Sequence, residues 1–177
     1  MNTAQELQER GVKLYDQKDF EAAARIFQQA REAYQSDNQP EFAAEMLTNI
    51  GLVHRALGEN QQALEAMQEA YQVFEKHDDR LRLAQVMGNM GGVYVELGDK
   101  EQANNAYRQA ADIFDELGEK ELYGQTMIAM AKLQVRDGKI WDGAATYELG
   151  LNSLDELSGT QKVLKSLIGL RNRLIGG

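Results

Sequence analysis

Two histidines and no cysteine in 177 residues narrow the chemistry at once. Without cysteine there is no disulfide, no thiolate metal site and no cysteine nucleophile. His54 and His77 fall in different elements and have no cysteine companion. The run His77-Asp78-Asp79 has the residue types of a metal site, but it sits between helices, where a solvated turn is the simpler reading. Asp115 and Glu116 are adjacent on a helix surface, which does not build the opposed carboxylate pair of a glycosidase. No glycine-rich loop ends in Lys-Ser or Lys-Thr, so there is no P-loop, and Gly88, Gly91 and Gly92 lie inside a helix. Trp141 opens a helix, where it is either partly buried or an exposed aromatic contact. Met87, Met90, Met127 and Met130 follow a packing period and read as core ahead of an adaptable binding surface. Nothing in this set supports an enzyme, a cofactor or a metal.

The composition excludes further classes. Lys and Arg number 19 against 28 Asp and Glu, a net charge of −9, and phosphate-directed nucleic-acid binding needs the opposite excess. No apolar run approaches the ~20 residues that span a bilayer. The segment from Met1 to Glu21 is polar and unlike a signal peptide, so the expectation is a soluble, cytoplasmic protein without membrane insertion. A hydrophobic content of 43% suits a packed core, and Pro40 is the single proline. Scarcity of proline favours long unbroken helices, because each interior proline removes a hydrogen bond and clashes with the preceding turn.

The elements that must position any functional side chain emerge when the chain is slid against itself by forty residues. Gly11, Gly51, Gly91 and Ala131 align, as do Ala23, Ala63, Ala103 and Gly143, and Ala30, Ala70, Ala110 and Gly150. Bulky residues keep step: Phe27, Met67, Tyr107 and Tyr147; Tyr34, Phe74, Phe114 and Leu154; Leu7, Leu47, Met87 and Met127. Gly58, Gly98 and Gly138 align in the last three copies. In the third copy, apolar residues at helical spacing predict a helix over Leu83–Leu97. Gly98 stops it, Asp99 starts the next helix, and that helix runs from Lys100 to Leu117 before Gly118. Each copy is therefore an αα-hairpin in which alanines let the backbones approach and aromatics fill the space beside them.

The pattern Gly91-x-x-Tyr94, Gly98-Asp99 and Ala103-x-x-x-Tyr107-x-x-Ala110 resembles the tetratricopeptide repeat. Asn49-Ile50-Gly51, Leu57-Gly58, Ala63, Met67 and Ala70 match in the second copy; Gly11, Ala23, Phe27 and Ala30 match in the first. The fourth, with Gly138, Gly143, Tyr147 and Gly150, diverges most. A period of 40 instead of about 34, with no closing proline, resembles the subclass found in polarity adaptors and bacterial peptide-sensing regulators. The resemblance implies an all-α fold, a right-handed superhelical αα-hairpin solenoid of four units (1–40, 41–80, 81–120 and 121–160) with a C-terminal capping helix over 161–177.

Both ends read as caps. Arg10 and Lys13 stand where later copies have Ile50, Met90 and Met130, and Val53, Val93 and Leu133, so the first copy is polar where the others pack on a predecessor. At the other end Thr160 is a candidate N-cap for a helix to about Leu174, with Val163, Leu164, Leu167, Ile168 and Leu170 as its apolar face covering repeat four. Residues 161–177 hold Lys162, Lys165, Arg171 and Arg173 and no acid. The acidic excess thus belongs wholly to the repeats, a polarity suited to self-association through the last helix or to an acidic partner.

For function, the resemblance implies a concave groove lined by the first helix of each hairpin. Its contact columns carry over to Gln8, Val12 and Tyr15 in repeat one, and to Thr48, Asn49, Leu52 and Arg55 in repeat two. Repeat three contributes Gln85, Gly88, Asn89, Gly92 and Val95, and repeat four Gln125, Ile128, Lys132, Val135 and Arg136. Asn and Gln offer a donor and an acceptor to a peptide backbone; Gly88 and Gly92 leave room for it; Arg55, Lys132 and Arg136 suit acidic side chains. Asn49 and Asn89 share a column and stand out, with a structural bond to the neighbouring helix as their alternative role. The carboxylate clamp of the chaperone-tail binders is absent, since of Gln8, Val12, Asn49, Gln85 and Asn89 only Asn49 fits it. The expectation is a non-enzymatic module that binds a protein or peptide partner in the groove. The alternatives are an assembly or regulatory scaffold acting through its convex face or by self-association, and a signal-peptide sensor.

Overall fold

The computed structural model describes residues 3–175, with side chains through Gly169. All regular structure among them is α-helical: α1 Ala4–Asp16, α2 Phe20–Ser36, α3 Pro40–Ala56, α4 Asn60–Lys76, α5 Arg80–Leu97, α6 Lys100–Leu117, α7 Lys120–Arg136, α8 Ile140–Ser153 and α9 Gly159–Ile175. The chain parts into two compact units, 1–99 and 100–177. The division falls inside the third copy, between its two helices.

The turns repeat every twenty residues, half the sequence period. Lys18, Asn38, Gly58, Asp78, Gly98, Gly118 and Gly138 all have positive φ, between 54° and 80°. At each of them the next residue's N–H donates back across the turn. These bonds run from Asp19 to Leu14, Gln39 to Tyr34, Glu59 to His54, Asp79 to Phe74, Asp99 to Tyr94, Glu119 to Phe114 and Lys139 to Gln134, all at 2.8–3.0 Å. That six-to-one bond is the Schellman closure, which satisfies carbonyls a helix end leaves free. Glycine suits the left-handed residue because it has no Cβ to clash; Asn and Asp tolerate it, and Lys18 does not.

Helix starts are fixed by side chains. Thr3 and Glu6 form a reciprocal capping box on α1, with bonds of 3.2 and 2.9 Å. Asp19 accepts from the Ala22 N–H and Asp79 from the Arg82 N–H. Because Asp79 caps it, α5 starts at Arg80, three residues ahead of the sequence expectation. Pro40 is the first residue of α3, where its missing N–H costs nothing. The cap of α9 is Ser158, not Thr160. Ser158 Oγ accepts from the Gln161 N–H, and Gln161 Oε1 accepts from the Ser158 N–H. The Ser-x-x-Gln box supplies two partners where Thr160 would supply one.

In unit 1, Ala23, Phe27, Ala30, Tyr34, Met46 and Val53 form one buried cluster, and Leu47, Ala63, Met67, Ala70, Phe74, Val86 and Val93 another. Val53 and Val93 are fully buried, whereas Arg10 and Lys13 on α1 are exposed. In unit 2, α7 and α8 cross in backbone contact. A Cβ added at Gly150 would lie 2.8 Å from the Gly124 carbonyl oxygen, and one at Gly124 would lie 2.8 Å from that of Gly150.

The rhythm fails once. Leu154 is extended, with ψ 133°, and residues Leu154–Ser158 join α8 to α9 with no left-handed residue. Helix α9 forms, but Val163, Leu164 and Leu167 are 60%, 37% and 57% exposed. At these residues the expected cover over repeat four is not made. Leu170, Arg171 and Arg173 have side chains outside the described residues.

Two substitutions test this account. Lys18→Gly should raise stability by about 1 kcal/mol by removing the left-handed penalty, seen as a melting temperature roughly 2–4 °C higher. Gly150→Ala should destabilise by about 1–3 kcal/mol through overpacking. The matched control Gly169→Ala meets open space and should gain about 0.5–1 kcal/mol. Equal melting shifts for the two alanines would show that the α7–α8 contact has no effect on stability.

Candidate functional site

In unit 1 the odd helices α1, α3 and α5 form one layer, with α2 and α4 behind. A polar chain stitches the layer together at a fixed offset. Tyr34 Oη donates to Gln8 Oε1 at 2.6 Å, and Gln8 Nε2 donates to Glu45 Oε1 at 2.8 Å. Arg82 Nε donates to Glu45 Oε2 at 2.9 Å, and another guanidinium nitrogen of Arg82 to Asp79 Oδ2 at 2.7 Å. The Phe42 ring stacks on Tyr34 at 5.3 Å and lies under the Arg82 guanidinium at 5.0 Å. Burial alone would depress the Arg82 pKa, but its bonds to Asp79 and Glu45 outweigh that and hold it above the ordinary arginine value. Burial, then the charges of Glu45 and Glu9, push the Tyr34 phenol up.

Gln8 to Glu45 and Glu45 to Arg82 are both separations of 37 residues. The same offset links Arg55 and Gly92, where an added Cβ would meet the Arg55 guanidinium at 2.5 Å. These three links share a separation of 37 residues, three short of the repeat, while the Arg55–Glu96 pair spans 41.

The candidate residues separate on this frame. Gln8 is taken by Tyr34 and Glu45. Tyr15 is half-buried and packs edge-on against Phe20, with ring centroids 5.4 Å apart. Thr48 is buried and donates to the Ala44 carbonyl; one residue round the helix from Asn49, it falls on the core face, which withdraws it from any ligand. Leu52 is partly buried against the core. Arg55 is paired with Glu96 at 2.7 Å, and Gly92 makes room for that arginine, not for a peptide. Asn49 and Asn89 are half-buried and their side chains form no hydrogen bond among the described residues, while Gln85 is exposed. Above α1 and the start of α3 lies an open groove of about 750 Å³, lined by Gln5, Gln8, Glu9, Val12, Tyr34 and Phe42.

In unit 2, Gln125 is exposed and bonded to Glu121, and Ile128 is buried. Lys132 and Arg136 are exposed cations with no ion pair among the described residues, and Val135 is 48% exposed. The His77-Asp78-Asp79 run does not converge. His77 pairs with Glu41, Asp79 turns to Arg82, and Asp78 holds the left-handed turn. Among the described residues no three His, Cys, Asp or Glu side chains gather to hold a metal, and no helix is long and apolar enough to cross a membrane.

Residues 42–116 match the family model described as Tetratricopeptide repeat. This segment is made of tetratricopeptide repeats. The solved structure of BtubC (BKLC) from P. vanneervenii is similar to the chain, with a TM-score of 0.67 and 17% sequence identity. The match covers 94% of this chain and 64% of that one, so the chain spans under two thirds of its length, and at this identity the likeness concerns the fold. No curated protein matches the sequence.

In these tetratricopeptide repeats the carry-over of family columns missed Glu45, Arg82 and Phe42. A signal was present. Phe42 and Arg82 stand forty residues apart in one column yet differ in type, which marks a contact made once, not at every repeat.

Tyr34→Phe tests the polar chain. It should cost about 0.5–1.5 kcal/mol by leaving Gln8 without its donor. A raised phenol pKa means the stabilisation is whole below the ordinary tyrosine value near ~10 and is lost as pH rises through the folded value. Melting curves of both proteins from neutral to alkaline pH should therefore converge; a gap that stays constant would contradict the assignment.

Proposed function

We propose that the chain is a non-enzymatic protein-interaction module whose α1–α3–α5 face binds an extended peptide segment of a partner. The observation that carries this is the pair Asn49 and Asn89. Both occupy one column, both are half-buried, and neither side chain is bonded among the described residues. Half-buried amides without partners are costly to leave idle and well suited to a ligand. A carboxamide matches a peptide unit, donor to acceptor and acceptor to donor. Val12 and Leu52 stand 37 residues before Asn49 and Asn89, the separation of the Gln8–Glu45 and Glu45–Arg82 bonds, so in this reading each amide is accompanied by one aliphatic side chain.

The charges on this face are internally balanced. Glu96 engages Arg55, and Glu45 with Asp79 engages Arg82. A peptide is therefore selected by hydrogen bonding and apolar side chains more than by net charge. Arg55, expected to receive acidic residues, is already paired with Glu96; Lys132 and Arg136 are exposed cations of unit 2. A second reading, an assembly role, is favoured by the exposed apolar residues of α9 and concerns a different surface.

A displayed library of random dodecapeptides, selected on the wild-type chain, provides the probe. Asn49→Ala with Asn89→Ala should weaken the selected peptides by about 10- to 100-fold, the loss of two or more backbone bonds. Melting temperature should hold or rise slightly, since alanine favours helix. Equal affinity for both proteins would remove this face from the function.

A further inference from the structure

Repeat four carries an apolar stripe that its three sister repeats lack. Trp141, Ala145 and Leu149 are exposed on α8 at four-residue spacing, which puts them on one face. The corresponding residues are Glu21, Arg25 and Gln29 on α2, Gln61, Glu65 and Glu69 on α4, and Glu101, Asn105 and Gln109 on α6. All nine are polar, and none is buried. Three internal copies thus show that the fold does not require apolar residues here. Trp141 is 66% exposed, Leu149 53% and the adjoining Ile140 59%.

The next helix has the matching surface. Val163, Leu164 and Leu167 are exposed on α9. Residues 140–156 hold Asp142, Glu148, Asp155 and Glu156 and no Lys or Arg; residues 159–177 hold Lys162, Lys165, Arg171 and Arg173 and no Asp or Glu. Two exposed apolar surfaces of opposite charge lie on consecutive helices, and both stay exposed within one chain. We infer that the occupant is a second copy, with α9 of each copy lying on the Trp141–Ala145–Leu149 stripe of the other. Reciprocal exchange about a two-fold axis makes both contacts at once. The six exposed apolar residues hold on the order of 600 Å² per copy, so the pair hides on the order of 1,200 Å², at the lower edge of stable interfaces. Area alone does not set affinity, so the test spans a wide concentration range. This surface is separate from the peptide face and does not rest on that proposal.

Trp141 is the sole tryptophan and reports on its own burial. In sedimentation and fluorescence over roughly 1–300 μM, the full chain should double in mass as its emission shifts to the blue. Leu149→Gln and Leu167→Gln keep the tryptophan and replace exposed side chains. Each should weaken dimerisation about tenfold or more with an unchanged melting curve. Lys162→Glu with Lys165→Glu should also weaken it, and adding Asp142→Lys with Asp155→Lys to the same chain should restore part of the loss. Three outcomes would overturn the inference. They are a monomer throughout the range, a concentration-independent emission change in Leu167→Gln (α9 covering its own stripe), and binding to phosphatidylserine vesicles by a chain that stays monomeric in solution.

Discussion

A left-handed residue at positions 18, 38, 58, 78, 98, 118 and 138, each followed by a six-to-one backbone bond, sets the length and direction of α1 to α7. Once a helix is stopped there, the next starts two residues on, and its length is fixed by the following stop. Burial then acts on helices already cut to size. The recurring Ala and aromatic columns pack because the turns return them to the same place in each hairpin. Side-chain volume alone would not enforce that register, since a helix can slide by a turn and still bury an alanine against an aromatic.

A separation of 37 residues recurs between neighbours in the α1–α3–α5 layer, whose helices are 13, 17 and 18 residues long. It brings Gln8, Glu45 and Arg82 into one chain of bonds and sets Arg55 over Gly92. These are partly exposed pairs, each worth little in isolation. Their consequence is positional: they tie three helices of unit 1 together. Arg55 and Arg82 on this face are paired, whereas the side chains of Asn49 and Asn89 are not bonded among the described residues.

Much of this was legible in the sequence because repetition is a strong internal control. The αα-hairpins, the span of α6 and the burial of the Ala23, Ala63 and Ala103 column follow from residue type and spacing. The period of twenty was not legible, because Lys18, Asn38 and Asp78 share a backbone conformation with the glycines and nothing in their side chains says so. Thr48 was misplaced for a geometric reason. A column taken from a family pattern is good to about one residue, and one residue on a helix is about 100°, enough to turn a groove side chain into a core one. Gly92 and Arg55 were each sensible as ligand contacts taken singly. Only the register showed that they meet each other, because a 37-residue pairing is invisible until helix heights are fixed.

The end of the rhythm at Leu154 has the opposite effect from its presence. Without a left-handed stop at residue 158, α8 closes after 14 residues and an extended linker leads to α9 outside the turn pattern. A helix set in register finds an apolar seat on its predecessor; one released from it keeps its apolar side chains in water. The same repeat places Trp141, Ala145 and Leu149 where three copies place only polar residues. Divergence of the fourth repeat is therefore not simple decay of a pattern. On the buried face of α8, Gly143 and Gly150 replace the alanines of the other copies, and on its exposed face the stripe replaces polar residues beside a helix of complementary charge. The glycines let α7 and α8 meet backbone to backbone, while the stripe and the missing turn leave apolar side chains of α8 and α9 exposed.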